Sequence, residues 1–198
     1  MSRTVLNLHL HQIVLYDRPN TYDRMTGSTL TFSDGSTVSV GALANDGSAT
    51  LVTLPGTVVT QMIVLAVTST SSSTSNVGLA EFQAFGELCV GCSLGNNFGD
   101  DSATTTTSGG VVSGTGANAD LALLATATAS SYGSSQPPQR AIDGVISGYP
   151  ANYSAEWATA GETTGAWLNL TWDAYYLVDS VTLYVRSPVF ACLCRTSR

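Results

Sequence analysis

The chain has 198 residues, enough for one domain of ordinary size or for parts of two. Hydrophobic residues make up 43%, sufficient for a core, while 11% are charged and the formal net charge is -7. Its cations are seven arginines, with no lysine. They are too few and too scattered to displace counterions from nucleic acid or to hold an anionic membrane surface, so neither partner is expected.

The longest purely apolar run is residues 62–67, far short of the roughly 20 residues that span a bilayer, so no membrane span is predicted. Residues 1–11 hold one arginine and no apolar stretch of the ~7–15 residues found in a secretion signal. His9 and His11 share a face if that stretch is extended. No third metal ligand is spaced near them, and they read as exposed end residues.

Residues 10–87 read as strands almost throughout. Residues 12–18 and 30–32 are short apolar and β-branched runs, and Asp34-Gly35 before Thr37-Val38-Ser39-Val40 is a hairpin signal. Asn45-Asp46-Gly47 predicts the next turn, and residues 49–54, 57–68 and 77–85 supply three more strands. In the last of these, a period of two places Leu79, Glu81, Gln83 and Phe85 on one face and Ala80, Phe82 and Ala84 on the other.

Residues 88–118 change character: Gly, Ser, Thr and Asn predominate, Thr104 to Ser108 could carry O-linked sugar, and little is available to bury. A linker is predicted there, opened by Cys89 and Cys92. Residues 119–186 then return to strand-like patterning. Turns are expected at Gly133 and Pro137-Pro138, followed by strands at 166–172 and 176–186. Alternation puts Leu168, Leu170 and Trp172 inward and Trp167, Asn169 and Thr171 outward. Residues 187–198 form a tail.

Residues 179–188 repeat residues 11–20, with Val181 over Ile13, Leu183 over Leu15, Tyr184 over Tyr16 and Arg186 over Arg18. A repeat at both ends with unlike sequence between is the mark of a tandem repeat cut out of phase.

Several motifs together carry a family resemblance. Ala127-Thr-Ala-Ser-Ser131, Ala141-Ile-Asp-Gly144, Trp157 and Trp167-Leu-Asn-Leu170 resemble the front half of a discoidin, or coagulation-factor type C, domain. The strand at 12–18, the Asp34-Gly35 hairpin and residues 78–86 resemble the back half. Gly148-Tyr-Pro150, Glu156-Trp-Ala158, Gly165-Ala-Trp-Leu168 and Leu15-Tyr-Asp-Arg-Pro-Asn20 are similar to a fungal tandem branch, often attached to sugar de-N-acetylases of the GlcNAc-phosphatidylinositol type. The resemblance implies an all-β, antiparallel β-sandwich of the galactose-binding-like type. It also departs from the family in order, with the back half at 10–87 and the front half at 119–186. Either the two halves pair in one permuted unit, or the chain holds two incomplete domains; the first is favoured, although 12–18 and 180–186 then want the same slot.

The resemblance further implies a structural Ca²⁺ between the two halves, with Asp143 in the loop after the first strand and Glu81 as the late carboxylate. For sugar, it implies an arginine forking onto hydroxyls with an amide beside it, here Arg18 and Asn20, with Asp17 and Tyr22 near by and Tyr149 as a loop aromatic. Tyr132 and Tyr153 are further candidates for stacking. Two sequons, at Asn152 and Asn169, favour an extracellular protein, expected to belong to a secreted parent that begins upstream of Met1. Glu156 and Glu162 are the one carboxylate pair that a glycosidase could use, but the family supplies no such role. The four cysteines, 89, 92, 192 and 194, make a poor zinc set. The expectation is a non-catalytic carbohydrate-binding module; the alternative is a structural appendage or fragment of a larger secreted enzyme with no ligand of its own.

Overall fold

The chain is known here from a computed structural model, which describes residues 23–44, 48–88, 119–149 and 151–184. The first strand, β1 (Met25–Phe32), buries Ser28, Leu30 and Phe32 at alternate positions. It turns through Ser33 to Ser36 into β2 (Thr37–Val40), pairing Leu30 with Val38 and Thr31 with Thr37. Asp34-Gly35 makes this turn for two reasons. The Ser36 amide donates to Asp34 Oδ1 at 2.8 Å, and Gly35 sits at φ 82°, in the left-handed region that a residue without Cβ enters at little cost.

After β3 (Thr50–Val52) comes β4 (Val58–Thr70), which pairs with β1 along one edge. Next are β5 (Gly78–Leu79), β6 (Glu81–Leu88), β7 (Ala119–Asp120), β8 (Thr126–Ala129), β9 (Trp157–Ala158) and β10 (Trp167–Tyr184). All pairing is antiparallel, and among the described residues there is no α-helix, only short 3-10 turns such as Leu121–Leu124 and Pro138–Ala141. The protein is an all-β, sandwich-like fold whose main sheet runs β2-β1-β4-β10-β6-β7, with β8 also on β10.

β10 replaces the two strands expected at 166–172 and 176–186. Its first stretch lies between β4 and β8, with Leu170 opposite both Ile63 and Ala127. Its later stretch lies between β4 and β6, and residues 180–184 pair with β6 alone among the described strands. The register against β4 slips between Thr171 and Tyr176, a bulge that bends both strands and lets the sheet curl. The irregularity is satisfied locally: the Ser33 and Gln61 amides donate to Thr60 Oγ1 and Ser33 Oγ, at 3.1 Å and 2.9 Å.

The strand expected at 77–85 is broken at Ala80. Gly78-Leu79 leaves the main sheet to pair with Trp157-Ala158, and β6 begins afresh at Glu81. Around the break Leu79, Ala80, Glu81 and Phe82 are all buried, after which β6 alternates with Phe82 and Ala84 toward the core. Strand 12–18 lies outside the described residues; the place beside β6 is held by 180–184. One hydrophobic cluster includes Leu30, Phe32, Leu65 and Phe82 from before residue 89, and Leu121, Trp157, Leu168 and Val181 from after residue 118.

Leu170 touches strands on both sides of β10 and is fully buried. Leu170→Ala is therefore expected to lower the stability by ~2–5 kcal/mol, read from the midpoint of urea denaturation. A loss under ~1 kcal/mol would contradict this packing.

Candidate functional site

The loops between β8 and β10 are tied together by one buried carboxylate. Glu156 is completely buried. Its Oε1 accepts from Gln136 Nε2 at 2.9 Å, and its Oε2 accepts from the Tyr149 amide at 2.8 Å. Gly148 makes this approach possible, since a Cβ there would stand 2.3 Å from Glu156 Oε2. Glu156 thus fixes loop 131–137 and loop 143–149 from below. Further bonds hold the assembly: the Gly133 amide donates to the Ala158 carbonyl at 2.9 Å, the Asn152 amide to Gly148 O at 2.7 Å, and Trp157 Nε1 to the Ser131 carbonyl at 3.1 Å.

On the outer side of these fixed loops stand three tyrosines. Tyr132 is 53% exposed, Tyr149 49% and Tyr153 57%. Aromatic rings usually bury most of their surface in a fold, and each of these three is about half exposed. Trp157 is core. Trp167, at 37% exposure, begins β10 beside Ser130, which also donates to Glu162 Oε2.

Asp23, the first described residue, is hydrogen-bonded close to these loops. Its Oδ1 accepts from the Ser75 amide at 2.6 Å. Two residues on, the Val77 amide donates to Glu162 O and to Thr159 Oγ1, each at 3.1 Å, and Thr159 N returns to Val77 O at 2.8 Å. Asp17, Arg18, Asn20 and Tyr22 themselves lie outside the described residues, as do His9, His11 and all four cysteines. The chain nevertheless enters the described fold at Asp23, one short relay of hydrogen bonds from loop 158–162 and the Tyr132 loop.

Glu81 and Asp143, placed on different halves by sequence, are brought together. Glu81 is completely buried at the start of β6, and its Oε1 accepts from the Gly144 amide at 3.1 Å. Burial drives its pKa up to about 9, the Gly144 and Asp143 amides opposing and the charges of Asp120 and Asp143 adding to the rise. Asp120, held by the Ala84 and Ala122 amides, is likewise raised by burial to about 6. Glu81 Oε2 is buried with no hydrogen-bond partner, an oxygen of the kind that a hard cation takes. Asp143 is turned elsewhere: Oδ1 accepts from the Val145 amide at 3.0 Å and Oδ2 pairs with Arg140 at 3.1 Å. Glu81 therefore suits a Ca²⁺ ligand, with Asp143 contributing nearby charge. Among the described residues no group of three or more His, Cys, Asp or Glu converges, so carbonyl oxygens would have to complete the shell.

The sequons occupy unlike surroundings. Asn152 is exposed, and its Oδ1 accepts from Ser154 Oγ at 2.7 Å. Asn169 is half-buried within β10, its Nδ2 3.4 Å from Thr128 Oγ1 and its Oδ1 enclosed without a partner. Glu156 was considered above for hydrolysis together with Glu162; it is instead wholly enclosed and engaged by amide donors. Neither its burial nor its bracing role has a local signal in the sequence, because both depend on Gln136 and Gly148 arriving from separate loops.

The fold defines an all-β sandwich-type domain with exposed tyrosines on its loops and a buried acidic cluster. A family described as a domain of unknown function, DUF7402, matches residues 6–85 and 120–190, and the chain belongs to that family. No curated protein and no solved structure matches it.

The acidic cluster sets the pH response of the metal-free protein. A carboxyl whose folded pKa lies above its unfolded value supports the fold while protonated and loses that support as pH rises toward the folded pKa. Stability in chelator should therefore fall as pH rises. Asp120 and Glu81 both contribute up to about pH 6, and Glu81 alone from there to about 9, with a slope of at most ~1.4 kcal/mol per unit. Urea denaturation across this range checks it. Glu81→Gln should flatten the upper limb, and a wild-type stability that rises over that limb would contradict the assignment.

Proposed function

We propose that this domain is a non-catalytic binding module for carbohydrate or glycoconjugate, working outside the cell. The observation that carries the proposal is the trio Tyr132, Tyr149 and Tyr153, half-exposed on loops that buried Glu156 braces from within. A sugar ring has an apolar face that stacks on an aromatic side chain and a rim of hydroxyls that needs forked donors. The tyrosines serve the face. Arg18 and Asn20 are proposed to serve the rim. Because the loops are preorganised, little ordering entropy is lost on binding.

Ca²⁺ belongs to this proposal as a structural ion at Glu81, which lies on a strand of the first segment and touches Gly144 of the second. When bound, the ion would neutralise the buried carboxylates and tether the two segments. Extracellular placement draws support from the exposed Asn152-Tyr-Ser sequon, whose acceptor side chain already faces the Ser154 hydroxyl.

Calorimetric titration against a panel of neutral and charged oligosaccharides tests the sugar reading. At least one should bind, and Tyr149→Ala and Arg18→Ala should each weaken it by tenfold or more with the unfolding midpoint unchanged; heats that stay flat for every sugar would refute it. Thermal unfolding tests the ion. Added Ca²⁺ should raise the midpoint of the wild type and not that of Glu81→Gln, whereas equal midpoints with and without Ca²⁺ would remove the metal from the account.

A further inference from the structure

Along β10, Trp167-Leu-Asn-Leu-Thr171 combines an N-glycosylation acceptor with a tryptophan two positions before the asparagine. In a strand such positions line one face, about 7 Å apart. Leu168 and Leu170 are fully buried, so Trp167, Asn169 and Thr171 stand on the outer face of the sheet. The register supplies their neighbours there. On the β4 side, Trp167 lies opposite Ala66, Asn169 opposite Val64 and Thr171 opposite Met62. On the β8 side, Asn169 lies opposite Thr128 and Thr171 opposite Thr126. Next in line is Ser130, whose amide donates to the Trp167 carbonyl at 3.0 Å and whose Oγ accepts from the Trp167 amide at 3.2 Å.

None of these residues is charged, in a chain whose formal net charge is -7. Trp167 is flanked by the small side chains of Ala66 and Ser130, and it is 37% exposed where Trp157 and Trp172 are buried. Asn169 keeps its Oδ1 enclosed, while Nδ2, the atom that takes sugar, is turned toward exposed Thr128 at 3.4 Å. A glycosylated amide nitrogen retains one N–H, so that weak contact survives modification. The other sequon lacks this arrangement: Asn152 is exposed, begins a 3-10 turn and has Pro150 two positions before it.

We propose that Asn169 carries an N-linked glycan whose first N-acetylglucosamine lies against the Trp167 indole and covers the uncharged outer face of β4, β10 and β8. In the attachment, Nδ2 bonds to C1 of the sugar, the C1–oxygen bond to a lipid-linked diphosphate donor breaks, and the Nδ2 proton leaves with the released diphosphate. The attachment atom stands in the middle of the face and one strand repeat from the ring, so the chain itself selects this occupant. The apolar side of the sugar meets the indole, and its hydroxyls meet those of Thr128 and Thr171. This inference rests on the extracellular placement proposed above and is independent of the sugar-binding reading.

The test secretes the full chain from yeast and maps both sequons by mass spectrometry of glycopeptides. Asn169 should be occupied, and its first N-acetylglucosamine should show the upfield proton shifts of a ring held over an indole. Asn169→Gln should lower the unfolding midpoint by about 2–4 °C in the wild type and leave it unchanged in Trp167→Ala, with the loss restored in Trp167→Phe. Asn152→Gln should leave the midpoint where it was. A bare Asn169 beside an occupied Asn152, unshifted sugar protons, or an equal loss with and without Trp167 would each overturn the proposal and leave the extracellular placement standing. Retention of the natural protein inside its own cells would overturn that placement and this proposal with it.

Discussion

The structure depends on β10 having two edges that belong to different parts of the chain. Along its length it receives β4 and β6 from before residue 89 and β8 from after residue 118. The backbone donors and acceptors of a central strand must find partners, and here most of those partners, on β4 and β6, lie in the first segment, across residues 89–118. Burial follows from the pairing. Leu168, Leu170 and Val178 belong to the same buried cluster as Leu30, Ile63 and Phe82, so the two segments share one core.

The placement of the candidate loops is a consequence of that closure. Loops 131–137 and 143–153 belong to the second segment, but they are seated against Gly78-Leu79 and Val77 of the first through Trp157, Ala158 and Thr159. Glu156 then braces the loops internally. A buried carboxylate is costly to desolvate, and its persistence here is understandable because several donors converge on it, including one backbone amide that no side-chain substitution can remove. Glu81 presents the opposite case, a buried carboxyl with one oxygen satisfied and one not. The contrast separates a bracing acid from one suited to a proton or a cation.

Much of the strand architecture was legible from residues alone. The Asp34-Gly35 turn and the alternation of Leu168, Leu170 and Trp172 rest on short-range physics, namely left-handed backbone tolerance and the period of a pleated strand. What was not legible depends on tertiary contacts. The break at Ala80 exists because Trp157-Ala158 competes for Gly78-Leu79, and the continuity of β10 through residues 172–175 exists because β4 bends with it. The 3-10 turn at Leu121–Leu124 hides in an alanine- and leucine-rich run; it is set by the Asp120 cap on the Ala122 amide and by the Trp172 indole on the Leu121 carbonyl. Of the candidate site, the loop tyrosines and the meeting of Glu81 with the Asp143 loop could be anticipated. The burial of Glu156 could not, since a glutamate beside a tryptophan reads equally well as a surface residue.

A shared interior is the premise on which the candidate site rests, and it can be tested through the distribution of the chromophores. All three tryptophans, 157, 167 and 172, lie in the second segment, so their fluorescence reports directly on residues 119–184. Equilibrium unfolding should be followed by tryptophan fluorescence and by far-ultraviolet circular dichroism in the wild type and in Phe32→Ala, a core substitution in the first segment. Coincident single transitions, both moved to lower denaturant by Phe32→Ala, are the predicted result. A fluorescence transition that stays where it was while the dichroism shifts would show that the two segments fold apart, and would contradict the account.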